Sequence, residues 1–310
     1  MMRQGLLWLS EQKQIFNFVR RNGVARQFAS RFVAGESTDD AVGAAETLQK
    51  KGISATLDLL GESVTKAEEA EAAAEQYVQM VDELARRGVE VNVSVKLTQM
   101  GFDLDEALCR RNVLRIVERA AAHRGFVRLD MESSAYTDRT LAFYLSHVHP
   151  NHGAHCGVVL QSSLRRTDED VQRMIDARVR VRLCKGAYLE PPSVAYPEKS
   201  DVDKAFVRQM ERLLEHGNYP GIATHDEAII AHARKFVQRA GIAPERYEFQ
   251  MLFGVRRDLQ EQLRQAGHNM RVYIPFGTQW YPYLMRRLAE RPANIAFILG
   301  NIVKESVPGL

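Results

Sequence analysis

The chain has 310 residues, 45% hydrophobic and 26% charged, the composition of an ordinary globular protein with enough length for one large domain or two smaller ones. A net charge of +3 is too small to argue for nucleic acid, and no apolar run approaches the ~20 residues that a membrane helix needs. Cysteine appears 3 times, at Cys109, Cys156 and Cys184, without metal-ligand spacing, so reduced thiols and a cytoplasmic setting are expected.

The start, Met1 to Leu9, has too short an apolar core and no small-residue cleavage pattern for a signal peptide. Residues 6 to 35 read as helical, with Ile15, Phe16, Val19, Val24, Phe28 and Phe32 near helical spacing. Thr38 is expected to open another helix, through Lys50 and closed by Gly52. From there strands and helices alternate. Ile53 to Leu60 is a strand, and Thr65 is expected to cap a long Ala/Glu-rich helix stopping at Gly88. Val89 to Leu97 is a strand, Asp105 to Ala122 a helix, Phe126 to Met131 a strand and Thr137 to Val148 a helix. Then come strand Cys156 to Leu160, helix Asp168 to Ala177, strand Val179 to Cys184 and helix Asp201 to His216. Strand Gly221 to Thr224, helix Glu227 to Ala240, strand Tyr247 to Leu252 and helix Arg257 to Ala266 follow. Strand Met270 to Ile274 is expected to end at Pro275, before helices at Trp280 to Arg291 and 293 to 304.

Eight strand–helix units over about 250 residues match a closed (βα)8 TIM-like barrel, residues 53–310, preceded by a helical appendage over residues 1–52. An open doubly wound sheet is the rival. It would normally carry G-x-G-x-x-G after its first strand, where this chain has Leu59-Leu60-Gly61-Glu62.

In such a barrel the chemistry sits at the C-terminal strand ends. Those ends hold Asp58, Lys96, Asp130, Gln161, Arg182 with Lys185, His225, Gln250 and Tyr273. Any one of them is ordinary, because loops are polar. Charges on several apolar strands converging on one mouth are the makeup of a catalytic cavity. Arg182 matters most: it lies inside an apolar run and needs an anionic partner or a polar cavity. Gly186 just beyond it lets backbone approach a ligand closely.

Three further signals compete. His147, His149, His152 and His155 suggest metal, but they lie between a helix and the next strand, on the stability face, and read better as surface. Lys96 or Lys185 could serve as a Schiff-base lysine in an aldolase-type enzyme. Tyr283, Arg286, Arg287 and Glu290 share one helical face, which is either a solvated ion-paired stripe or a two-guanidinium grip on a carboxylate with an aromatic ring beside it.

Eight motifs in order carry a family resemblance: Leu57-Asp58-Leu59-Leu60-Gly61-Glu62, Val93-Ser94-Val95-Lys96-Leu97, Arg128-Leu129-Asp130-Met131-Glu132, Val159-Leu160-Gln161-Ser162, Arg182-Leu183-Cys184-Lys185-Gly186-Ala187-Tyr188, Ala223-Thr224-His225-Asp226, Phe249-Gln250-Met251-Leu252-Phe253-Gly254 and Tyr283 to Glu290. With these, from about Phe32 to about Val303, the chain resembles the bacterial monofunctional proline dehydrogenases, themselves similar to the proline dehydrogenase domain of bifunctional proline utilisation A proteins.

The resemblance implies a distorted barrel that holds FAD and oxidises L-proline to Δ1-pyrroline-5-carboxylate. Hydride passes to flavin N5 and electrons go on to a membrane quinone, with the chain peripheral at the inner face of the cell membrane. A separate pyrroline-5-carboxylate dehydrogenase is an implied partner. By the same resemblance Arg182 stands near flavin N5, and Met131, Gln161, the Cys184-Lys185-Gly186-Ala187 backbone, Thr224 and His225 contact the flavin. Lys96, Arg286 and Arg287 grip the substrate carboxylate, Leu252, Tyr273 and Tyr283 wall its ring, and Asp130 supports Tyr273. Glu62 pairs with Arg286 as a gate, and Glu290 supports the arginines by ion pairing. Cys184 departs from the family's usual valine, Phe253 and Phe276 from tyrosines, and Thr278-Gln279 from an Arg-Asp pair; no residue is an evident base for the proline amine. A non-catalytic sensor of flavin or amino acid is the non-enzymatic rival.

Overall fold

The computed structural model describes residues 29–290, with side chains placed through Met285. The expected helices before residue 29 and at 293–304, and the side chains of Arg286, Arg287 and Glu290, lie outside the described residues.

Apolar residues at every second position give eight short strands: β1 (Ser54–Leu59), β2 (Asn92–Val95), β3 (Phe126–Leu129), β4 (Cys156–Gln161), β5 (Val181–Cys184), β6 (Gly221–Ala223), β7 (Glu248–Leu252) and β8 (Met270–Phe276). All pair in parallel, in chain order, and β8 closes onto β1. The helices are α1 (Thr38–Gln49), α2 (Ala67–Arg86), α3 (Glu106–Ala122), α4 (Ser134–Phe143), α5 (Thr167–Asp176), α6 (Lys199–His216), α7 (Glu227–Arg239), α8 (Arg257–Gln265) and α9 (Trp280–Glu290). Leu57, Val93, Val127, Leu129, Leu183, Ile222, Phe249, Val272 and Ile274 point outward from the strands into one core shared with the helices.

Helix α1 packs on β1 and β8, burying Ala41, Val42 and Ala45 in that core. Helix α9 does something else. Its Trp280, Tyr281, Tyr283, Leu284 and Met285 form a separate cluster with Ala29, Val33 and Leu60, the residue just past the end of β1. The wall between β8 and β1 is thus covered by a helix that precedes the barrel, which is the distortion of the regular pattern.

Several boundaries differ from expectation, each for a local reason. Helix α1 does open at Thr38, with Ser37 as its cap: the Ser37 hydroxyl accepts from Asp40 N–H at 3.1 Å and Asp40 accepts from Ser37 N–H at 3.1 Å. Thr65 caps nothing; its N–H donates to Glu69 at 3.0 Å, and the cap residue of α2 is Lys66. Pro275 does not end β8, which pairs with β1 through Phe276. Proline's missing N–H falls on the side where β7 has already stopped, and there the Pro275 carbonyl accepts from Ala34 N–H at 3.0 Å. Helix α4 starts earlier than expected and runs on through a π-helical turn, Tyr144–Val148.

The barrel interior is polar, unlike the layered apolar filling usual for this architecture. Thr56, Asp58, Asn92, Ser94, Arg128, Asp130, Arg182, Glu248, Gln250 and Arg271 are all buried. Hydrogen bonds from β5 to β2, and from β5 and β8 to Asp130 just past β3, join strands that are not neighbours, so they cross the interior. Glycines make the space. At Gly221 a β-carbon would collide with Gln250 Nε2, and at Gly157 with the Arg180 carbonyl and Arg128.

Candidate active site

Four strands deliver charge to the C-terminal mouth. Lys96, one residue past β2, puts Nζ 2.7 Å from Asp58 Oδ1 and 3.9 Å from Asp130 Oδ2. Arg182 on β5 donates from Nη1 to Asp130 Oδ1 at 2.8 Å and to Ser94 Oγ at 3.1 Å. Its Nε donates to Gln250 Oε1 at 2.6 Å. Tyr273 on β8 donates to Asp130 Oδ2 at 2.7 Å, and the Arg182 guanidinium lies 5.1 Å from the centre of the Tyr273 ring. Asp130 therefore sits among two cations and a phenol, with both oxygens engaged.

The electrostatics follow from burial and pairing. Burial is the largest influence on Lys96 and works to remove its proton; Asp58 and Asp130 outweigh it and hold the ammonium well above the ordinary lysine range. Burial and then the nearby carboxylates Asp130 and Asp58 push the Tyr273 phenol well above its ordinary value, so it stays a donor. A lysine held charged this firmly is a poor Schiff-base nucleophile. Lys185 Nζ is ion-paired with Asp203 at 2.5 Å and with Asp226 at 2.9 Å.

The remaining expected residues ring this centre. Gln161, at the end of β4, donates from Nε2 to the carbonyls of Met131 and Glu132 at 3.4 and 3.2 Å. Cys184 to Ala187 leave β5 half-buried, and Gly186 takes φ +103, a conformation open to glycine. A β-carbon there would also collide with Ser163 Oγ. Beyond β6, Thr224 is buried and its hydroxyl accepts from Asp226 N–H at 3.1 Å. His225 Nε2 accepts the Leu252 N–H at 3.0 Å, so in the neutral ring the proton is on Nδ1. Adjacent strand ends β4, β5 and β6 thus form a continuous polar shelf beside a buried guanidinium, which fits a flat, electron-accepting ring.

Glu62 is half-buried and within electrostatic reach of Lys96. Tyr283 is buried in the α9 cluster over Leu60. Arg286, Arg287 and Glu290 have no described side chains. The histidines serve the outer wall: His147 lies 3.3 Å from Glu106, and His155 Nδ1 2.9 Å from the Gly125 carbonyl. Among the described residues no group of metal-ligating side chains could hold an ion.

Below the mouth lies a pair that the sequence reading missed. Glu248 and Arg271 face each other on β7 and β8, Nε to the two carboxylate oxygens at 2.9 and 3.0 Å. Its signal was present as polar residues at every second position, Glu248-x-Gln250 and Arg271-x-Tyr273, in otherwise apolar strands.

A family model described as proline dehydrogenase matches residues 41–299. A proline dehydrogenase of Deinococcus radiodurans is 40% identical over 305 residues, covering 97% of this chain and 98% of that protein. Proline dehydrogenase 1 of Bacillus subtilis is 38% identical, covering 98% of this chain and all of that protein. Among solved structures, proline utilisation A of Bdellovibrio bacteriovorus inactivated by N-propargylglycine superposes with a TM-score of 0.80 at 25% identity, over 89% of this chain. This chain spans 34% of the length of that larger protein.

Proposed function

Because the chain belongs to the proline dehydrogenase family, we propose that it oxidises L-proline to Δ1-pyrroline-5-carboxylate with FAD as resident cofactor. The observation that carries this reading is Arg182: a buried guanidinium at the mouth of the barrel, fixed by Asp130, Ser94 and Gln250. A guanidinium so held is aimed before any ligand arrives, and it favours negative charge developing beside it without further reorganisation. When bound, FAD supplies at N5 the acceptor for the hydride that leaves the proline carbon next to nitrogen.

The protein's own residues do the rest. The shelf of Met131, Gln161, the Cys184 to Ala187 backbone, Thr224 and His225 holds the ring system at the ends of β3 to β6. Lys96, Arg286 and Arg287 neutralise the substrate carboxylate, and Leu252, Tyr273 and Tyr283 wall its ring. Glu62 with Arg286 closes the site, and Glu290 steadies the arginines. Firm protonation of Lys96 supports its role as a fixed charge rather than a nucleophile.

Electrons then pass to a membrane quinone, which requires the chain to visit the inner face of the cell membrane. Among the described residues no helix is long and apolar enough to cross a membrane, so that visit is peripheral in this reading. A separate pyrroline-5-carboxylate dehydrogenase consumes the product. Anaerobic titration with L-proline tests the core of the proposal. The purified protein should be yellow and its flavin bands should bleach stoichiometrically; a colourless protein that takes up no FAD overturns it.

A further inference from the structure

The Glu248–Arg271 pair belongs to neither the shelf nor the substrate walls, yet it is densely hydrogen-bonded. Arg271 is fixed on three sides. Its Nε meets both Glu248 oxygens, its Nη1 donates to the Ala55 carbonyl at 2.7 Å and its Nη2 to Glu90 Oε1 at 2.8 Å. Glu248 Oε1 accepts a further bond, from Gln250 Nε2 at 2.5 Å. Side chains two apart on one strand share a face, so Gln250 stands directly between this pair and Arg182.

A carboxylate can only accept, so it draws the amide nitrogen of Gln250 toward itself. The amide oxygen is thereby turned the other way, onto Arg182 Nε at 2.6 Å. Gly221 on β6 leaves the amide its space, since a β-carbon there would strike Nε2. The amide is also neutral. It fixes the edge of the guanidinium that Asp130 does not reach, without cancelling charge as a second carboxylate would.

We propose that Gln250, oriented by Glu248 and Arg271, is a positioning residue that sets the plane of Arg182 while leaving its positive charge uncompensated on the Nε side. The inference rests on the reading that Arg182 faces the flavin. It assigns to the lower half of the barrel interior a part in tuning the site above it.

Two variants separate position from charge. Gln250→Met keeps the volume and removes the acceptor, so flavin reduction by proline in a stopped-flow experiment should slow roughly 10- to 100-fold, while the proline KM stays within about threefold. Gln250→Glu places an anion on Arg182, so the flavin midpoint potential should shift to more negative values, further than in Gln250→Met. Reduction at the wild-type rate in Gln250→Met, with an unchanged potential in Gln250→Glu, overturns the proposal. If Gln250→Glu does not fold, the rate in Gln250→Met decides alone. Failure of the parent reading looks different: the wild-type protein itself would hold no flavin, or hold one that proline does not bleach.

Discussion

Asp130 and Arg182 meet across the barrel mouth, Oδ1 to Nη1 at 2.8 Å, with both side chains nearly removed from solvent. Tyr273 occupies the other carboxylate oxygen and Lys96 stands 3.9 Å away, so Asp130 is the anion that lets two cations share one cavity. Asp130→Asn keeps the shape and removes the charge. Lys96 keeps Asp58, but Arg182 loses its carboxylate partner and the guanidinium shifts. Turnover with an artificial electron acceptor should fall on the order of 100-fold, with flavin content per chain largely retained. Wild-type turnover in this variant would remove Asp130 from the site.

The second pair is Lys96 with Asp58, whose carboxylate is almost fully buried. Removing one member of such a pair strands the other. Lys96→Met should cost about 3–5 kcal/mol in urea unfolding, limited by uptake of a proton on Asp58, whose pKa burial already raises. Adding Asp58→Asn should recover much of the loss in stability but none of the activity, because the proposed substrate grip is gone in both. A double variant no more stable than the single one would show that the pair is not coupled.

Much of this site was legible beforehand because strand ends announce themselves. Lys96, Asp130, Gln161 and His225 each terminate a short apolar run, Arg182 lies inside one, and the closed barrel brings all of them to one end. What lies inside the barrel was not legible. Glu248 and Arg271 are 23 residues apart in sequence, and it is the pairing of β7 with β8 that puts them face to face. Pro275 misled for a related reason: whether a missing N–H matters depends on which neighbour that edge faces, and here the neighbour is the segment around Ala34. The cap expected at Thr65 falls one residue later, at Lys66, where several polar side chains compete locally.

His268 makes stability depend on pH. Burial, then repulsion from Arg234, lowers its pKa from the ordinary 6.5. Tyr247 Oη lies 2.8 Å from Nδ1, and burial pushes that phenol up to about 12, so it remains a donor to a neutral ring. The unfolded chain takes up the proton first as pH falls. The contribution of His268 is therefore complete above pH 6.5 and is lost as pH drops through the lower folded value. Melting temperature should decline from pH 7 toward pH 5, and His268→Asn should flatten that decline. An equal slope in both proteins would assign the effect elsewhere.

Gly186 is held at φ +103 with Ser163 Oγ where a β-carbon would go. Gly186→Ala therefore meets two obstacles, and they can be told apart. Ser163→Gly clears the collision but not the backbone strain, which costs about 1–3 kcal/mol for a side chain in a sparsely populated region. The single variant should lose flavin on gel filtration, and the double variant should regain only part of it. Full retention in Gly186→Ala would mean that the β5 loop does not approach the cofactor.

The stripe on α9 supplies the last test. Arg286 and Arg287 follow Tyr283 by three and four positions in the sequence, the spacing on which the proposed carboxylate grip rests. The start of that helix is anchored by Trp280, Leu284 and Met285 against Leu60, at the same end of the barrel as Arg182. If the two guanidiniums bind the proline carboxylate, each makes a charge-assisted bond worth about 1.5–3 kcal/mol, which the substrate feels and the flavin does not. Arg286→Met and Arg287→Met should each raise the proline KM roughly 10- to 100-fold while the protein stays yellow. Loss of flavin in both would move the stripe to the cofactor, and an unchanged KM in both would end the carboxylate grip.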